Sequence, residues 1–174
     1  VTRNDETRQT LLSGMGETHI RHVLAKMERK FGVEVDTSEV RVAYRETITS
    51  SSSAEGKYKK QSGGHGQFGV AFVRIEPLQP GEGFEFVDEV KGGVIPRQLI
   101  PAVEAGIRDA MSTGGTSGYP VVDIRAAVYD GKHHAVDSSE MSFKMAGRLA
   151  FQEALPAARP VVLEPIASVE VTVP

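Results

Sequence analysis

Cysteine and tryptophan are both absent from the 174 residues. Without cysteine the chain can hold neither a disulfide framework nor a thiolate zinc site, and its absence suits a cytoplasmic protein. No run approaches the roughly 18 consecutive apolar residues of a membrane span, so no membrane partner is expected. The N-terminus has no basic-then-apolar leader pattern. No G-x-x-x-x-G-K-[ST] phosphate loop occurs, which excludes nucleotide hydrolysis by that route. An excess of positive charge is missing too. Lys and Arg number 20 against 23 Asp and Glu, a net charge of −3. That argues against a domain binding nucleic acid over its whole surface and leaves room for a local basic patch. No internal repeat at a fixed period is visible. The chain opens Val1-Thr2-Arg3 rather than with Met, and is expected to be an excised fragment.

What is present is enough apolar material, 40% of residues, for one full domain and a smaller piece. Thr7 to Met15 reads as a strand ending in the turn Gly14-Met15-Gly16. Ile20, Leu24, Met27 and Phe31 then recur at helical spacing, and Gly32 stands where a helix stops. Val33 to Val35 and Val40 to Tyr44 alternate like strand. With one helix and little sheet, this block is too small to be complete. Ser50 to Gly56 is rich in serine and reads as a linker or mobile loop, so the boundary is placed at 49/50.

From Lys57 a larger unit follows. Lys57 to Gln61 and Gln67 to Glu76 are β-like around the turn Ser62-Gly63-Gly64-His65-Gly66, and Phe84 to Val87 alternates again. Leu99, Ile100, Val103, Ile107, Ala110 and Met111 form a helical stripe ended by Gly114-Gly115. Val121 to Val128 reads as strand and Tyr129 to Val136 as loop. Asp137-Ser138-Ser139-Glu140 offers a capped start to a second helix, running to about Leu155. Val161 to Val173 supplies closing β structure. The pattern predicts an α+β unit, one sheet with both helices on one face.

Three motifs invite chemistry. Gly64-His65-Gly66-Gln67-Phe68-Gly69 is a literal G-x-G-x-x-G, but a dinucleotide site needs that turn to open a helix. The continuation Val70 to Ile75 is β-branched and aromatic, so a glycine-rich hairpin tip is the better reading. Lys57, Lys59, Lys60 and His65 fall close together, and no acid interrupts Lys57 to Phe72. Lysines suit phosphates and glycines admit close backbone approach, although a solvated lysine edge strand explains the same residues. Finally, Lys132, His133 and His134 sit beside an Asp130-Gly131 turn. Adjacent histidines rarely share one metal ion, and Ser138 and Ser139 look like helix caps rather than nucleophiles, so neither zinc nor hydrolase chemistry is expected.

Several segments together resemble elongation factor G. Ser13-Gly14-Met15-Gly16-Glu17-Thr18-His19 is similar to that family's S-G-M-G-E-L-H, and Phe31 to Glu34 and Val42 to Ile48 continue the match. Gln61 to Gly69 resembles Q-S-G-G-R-G-Q-Y-G. Gly92 to Pro96, Gly118 to Asp123, Val136 to Met141 and Leu163 to Ile166 follow in order. The resemblance implies that residues 1–49 are the later part of domain III, an incomplete ferredoxin-like unit. Residues 50–174 would be domain IV, similar in fold to the second domain of ribosomal protein S5.

By the same resemblance, the chain is the ribosome-engaging part of a translational GTPase and not itself an enzyme. GTP and magnesium would belong to a G domain elsewhere in the parent, with no cofactor in this chain. The expected partners are the ribosome at its small-subunit decoding region, its rRNA, and the tRNA–mRNA duplex. The implied contact residues are Ser62, Gly63, Gly64, His65, Gln67, Lys132, His133 and His134 at the tip, with Lys57, Lys59 and Lys60 in support; none is catalytic and none binds metal. Departures from the family pattern are His65 for arginine, His133 for an aromatic or small residue, and Lys132 for a small one. They fit a paralogue in ribosome recycling, rescue or drug protection as well as a translocase.

Overall fold

A computed structural model describes residues 1–4, 7–61, 66–166 and 168. The chain divides into two compact units, one of residues 1–43 with 164–174, the other Tyr44–Leu163. The expected closing strand beyond 168 lies outside the described residues.

In the smaller unit, β1 (Thr2–Asn4) and β2 (Gln9–Leu11) form an antiparallel hairpin, followed by α1 (Glu17–Phe31). Gly32 ends α1 at φ 64°, its N–H donating to the Glu28 carbonyl at 2.8 Å, the left-handed cap that glycine adopts without strain. No residue of α1 is fully buried and Phe31 is 66% exposed, so its apolar stripe has little to pack on. The alternation at 33–35 and 40–44 does not produce strands. The Gln9 side chain supplies what a ladder would: Nε2 donates to the Glu39 carbonyl (2.9 Å) and Oε1 accepts from the Arg41 N–H (2.8 Å). Apolar alternation needs a neighbouring strand to pair with, and this unit offers none there among the described residues.

The larger unit is α+β, as expected. Its sheet contains β4 (Ser52–Lys60), β5 (Gln67–Pro77), β6 (Phe84–Asp88) and β7 (Ile124–Lys132), in the order β4-β5-β7-β6, with β6 parallel to β7 and the other pairs antiparallel. A separate pair, β3 (Arg45–Ile48) with β8 (Pro160–Leu163), closes its base. This pairing starts the unit at Tyr44, ahead of the serine-rich stretch. Most of that stretch is strand rather than linker. Ser52 Oγ donates to the Ala154 carbonyl at 2.6 Å, and exposed and half-buried residues alternate there.

Helices α2 (Ile100–Thr113, preceded by a short 3-10 turn) and α3 (Glu140–Ala157) pack on one face of the sheet. Alternate residues of β5 (Ala71, Val73, Ile75) and β7 (Ile124, Ala126, Val128) meet Val103 and Ile107 of α2 and Phe143 and Phe151 of α3, all essentially solvent-free. Each such large side chain contributes about 1.5–3 kcal/mol on burial. Glycines let the backbones come close. A Cβ on Gly56 would collide with the Ala146 carbonyl of α3, one on Gly69 would lie 2.9 Å from the Ser142 carbonyl, and one on Gly147 would collide with the Val103 carbonyl of α2.

One boundary differs from expectation. β7 runs on through Asp130-Gly131, where a turn was expected, because a bulge opposite Phe72/Val73 absorbs the irregularity and keeps the ladder. The cap of α3 is Ser139, one of the two serines expected to cap it: its Oγ accepts from the Ser142 N–H at 3.2 Å. That leaves Asp137 and Ser138 free for other partners.

Candidate RNA-contacting tip

Residues 61–66 join β4 to β5, and residues 133–139 join β7 to α3. Hydrogen bonds between positions about 70 apart in sequence fasten the second of these segments to Gly66 and Phe68, where β5 begins. Asp137 Oδ1 accepts from the Gly66 N–H at 3.1 Å, and the Asp137 carbonyl accepts from the Phe68 N–H at 2.8 Å. Ser138 Oγ donates to the Phe68 carbonyl at 2.8 Å and accepts from the His134 N–H at 2.9 Å. The Ser138 N–H returns a bond to the His134 carbonyl at 3.1 Å. Backbone groups at strand and helix ends, where ladders no longer satisfy them, are thereby paired.

The two histidines take different partners. His133 Nδ1 lies 2.9 Å from the Val94 carbonyl, which can only accept, so that nitrogen carries the proton. His134 Nδ1 accepts from the Asp137 N–H at 3.2 Å, which requires an unprotonated Nδ1. It also lies 3.3 Å from Asp137 Oδ2, a contact that becomes an ion pair only on protonation. Either state keeps His134 tethered to the turn that holds Gly66, with 58% of its side chain exposed.

Of the residues expected at the tip, Ser62, Gly63, Gly64 and His65 lie outside the described residues. Gln67 is exposed and accepts from the Tyr58 hydroxyl at 3.0 Å. Lys132, His133 and His134 are exposed on the second loop and the strand end feeding it. The supporting lysines separate. Gly56 and Gly69 face α3, so Lys57 and Lys59, one residue out of phase, lie on the opposite face, whereas Lys60 shares the helix side. Sequence reasoning missed Asp137 and Ser138 as fasteners. Both were assigned to the helix start, and no local pattern links them to Gly66 or Phe68.

Farther from the tip, the helix-free face carries an ion-pair network. Arg74 binds Glu76 and Glu89, each at 2.8 Å, and Arg125 binds Glu85 at 2.7 Å. Hydrogen bonds to Glu89 and then Glu76 raise the Arg74 pKa, and the bond to Glu85 raises that of Arg125, so both remain charged. At the base, Glu46 is 1% exposed and accepts from the Ser117 N–H (2.8 Å), the Tyr119 N–H (3.0 Å) and Thr116 Oγ1 (3.1 Å).

The family model for elongation factor G, domain IV matches residues 40–159, and the model for domain III matches residues 1–39. The chain belongs to the elongation factor G family. A crystal structure of a protein from Thermus thermophilus is 42% identical with a TM-score of 0.85, covering 92% of this chain and 24% of that one. The chain thus spans about a quarter of the length of that relative. The matched segments are domains III and IV, with no G domain among them. The two loops fastened by Asp137 both belong to the domain IV segment. No helix of the described residues is long and apolar enough to cross a membrane.

Proposed function

We propose that the chain is the ribosome-engaging part of a translational GTPase, whose domain IV tip contacts the tRNA–mRNA duplex at the small-subunit decoding region and promotes or locks translocation. The observation that carries this reading is the fastening of the segment 133–139 to Gly66 and Phe68, which holds His134, His133 and Lys132 together at one exposed end. A local cationic end on a chain of net charge −3 can address RNA at one place without adhering to rRNA broadly. No bond-making step is assigned to His134; contact and steric blocking suffice. GTP and magnesium serve the G domain of the parent, which works in the cytoplasm.

The test uses the full-length parent. His134→Ala combined with Lys60→Ala slows tRNA–mRNA movement at least several-fold while single-turnover GTP hydrolysis stays near the parent rate. Unchanged movement refutes the proposal. Lys132 and His133, which depart from the family pattern, fit a second reading equally: a paralogue that recycles, rescues or protects ribosomes without moving tRNA. Toeprinting separates the two, because the second predicts no one-codon shift at saturating factor.

A further inference from the structure

The four-stranded sheet has helices on one face only, and the other face can be followed row by row from the register. Nearest the tip, Lys59 pairs with Phe68; the next row is Lys57, Val70 and Lys132. Then come Glu55, Phe72 and Asp130, with Tyr129 in the bulge, its ring 6.1 Å from that of Phe72. The far rows hold Arg74 with Ala127, and Glu76 with Arg125 and Glu85.

The two ends of this face differ in how their charge is used. Both arginines at the far end are committed to glutamates. The three lysines at the tip end are exposed and make no ion pair with any described residue. Val70 between Lys57 and Lys132 is only 1% exposed, while both lysines are exposed, so the row joins a covered apolar centre to two solvated charges. Phe68, partly exposed, lies beside Lys59 in the outermost row. Unpaired ammonium groups in successive rows, with an aromatic ring among them, match an extended strand of phosphates and bases.

We propose that the nucleic-acid surface continues from the tip, through Lys132, onto the tip-ward end of the helix-free face. It takes a single-stranded RNA segment, with phosphates on Lys57, Lys59 and Lys132 and a base against Phe68. The surface rests on the reading of an RNA partner above and extends it away from the loops onto the sheet. The contact stops where Glu55, Asp130 and the neutralised arginines begin.

The experiment uses the whole chain and a fluorescein-labelled single-stranded RNA of mixed sequence, titrated by anisotropy at several salt concentrations. In the Lys57→Gln, Lys59→Gln, Lys132→Gln variant, the slope of log K against log salt becomes shallower by about 2, three phosphate contacts at roughly 0.7 each. The corresponding triple arginine variant restores the slope, which a merely structural role for the lysine stems would not do. Phe68→Leu weakens binding about tenfold with the slope unchanged. A slope that stays at the parent value in the glutamine variant overturns the sheet surface. If His134→Ala with Lys60→Ala lowers the slope while the glutamine variant does not, the sheet surface falls and the tip reading stands. Absence of salt-dependent RNA binding by the unaltered chain refutes both.

Discussion

Glu46 offers the sharpest test of the structural reasoning. Its carboxylate is buried and receives two backbone N–H groups and one hydroxyl from the loop after α2. A Cβ on Gly115 would collide with the same carboxylate, so the loop is shaped around it. Replacing Glu46 with alanine leaves both amides without an acceptor. Bonds to a charged group are each worth about 1.5–3 kcal/mol, and an orphaned buried donor costs about 1–3 kcal/mol. Ser117 and Tyr119 are both exposed, which lets water reach the amides once the loop relaxes. The expected loss is therefore about 3 kcal/mol rather than the sum. Glu46→Gln keeps one carbonyl acceptor but turns an amide donor toward other donors, and loses about half as much. Urea unfolding followed by near-ultraviolet circular dichroism reads this directly, because the Tyr44 and Tyr119 rings lie 5.3 Å apart beside the loop. The midpoint falls while the slope with denaturant is unchanged. Equal losses for both variants would assign the effect to something other than the lost acceptors. Changes within about 0.5 kcal/mol for both would refute the reasoning.

Three further outcomes follow from contacts already described. Gly56→Ala drives a methyl group into the α3 backbone and destabilises the larger unit by about 3 kcal/mol, measured by thermal melting; a neutral result would mean that α3 is not held where it lies. Ser139→Ala removes the α3 cap and costs about 1 kcal/mol, read as a lower urea midpoint. Asp137→Ala releases the Gly66 amide but keeps the carbonyl that holds Phe68, so hydrogen exchange accelerates strongly at Gly66 and little at Phe68. Equal acceleration at both would show that the whole turn is lost.

Much of this was legible in the sequence where local chemistry decides. The stripe of α1 and its Gly32 stop are self-contained, as are the α2 stripe and the β character of β5, because each pattern reports a single element. Serines at 52 and 53 misled because composition speaks for a linker, while their ladder to Ile75 and Arg74 is a contact between distant residues. Residues 40–44 misled in the opposite sense: the alternation was there, and among the described residues no strand pairs with it. At the site, the lysines and histidines were visible as residue types, but their distribution over two sheet faces depends on register. The Asp137 fastening spans 71 positions and joins a side chain to a backbone group, which leaves no trace in spacing.

The close approach of α3 to the sheet has a mechanical consequence. Side chains in a core act as compliant spacers that can change rotamer under load, whereas contact through Gly56 and Gly69 leaves backbone against backbone. Asp137 and Ser138, just ahead of the α3 cap, are fastened to Phe68 of β5, so the segment bearing His134 is tied to both elements that this contact joins. A force applied at His134 therefore enters two stiff members together and passes to the base with little bending. The larger unit is thus braced between tip and base by two backbones in direct contact.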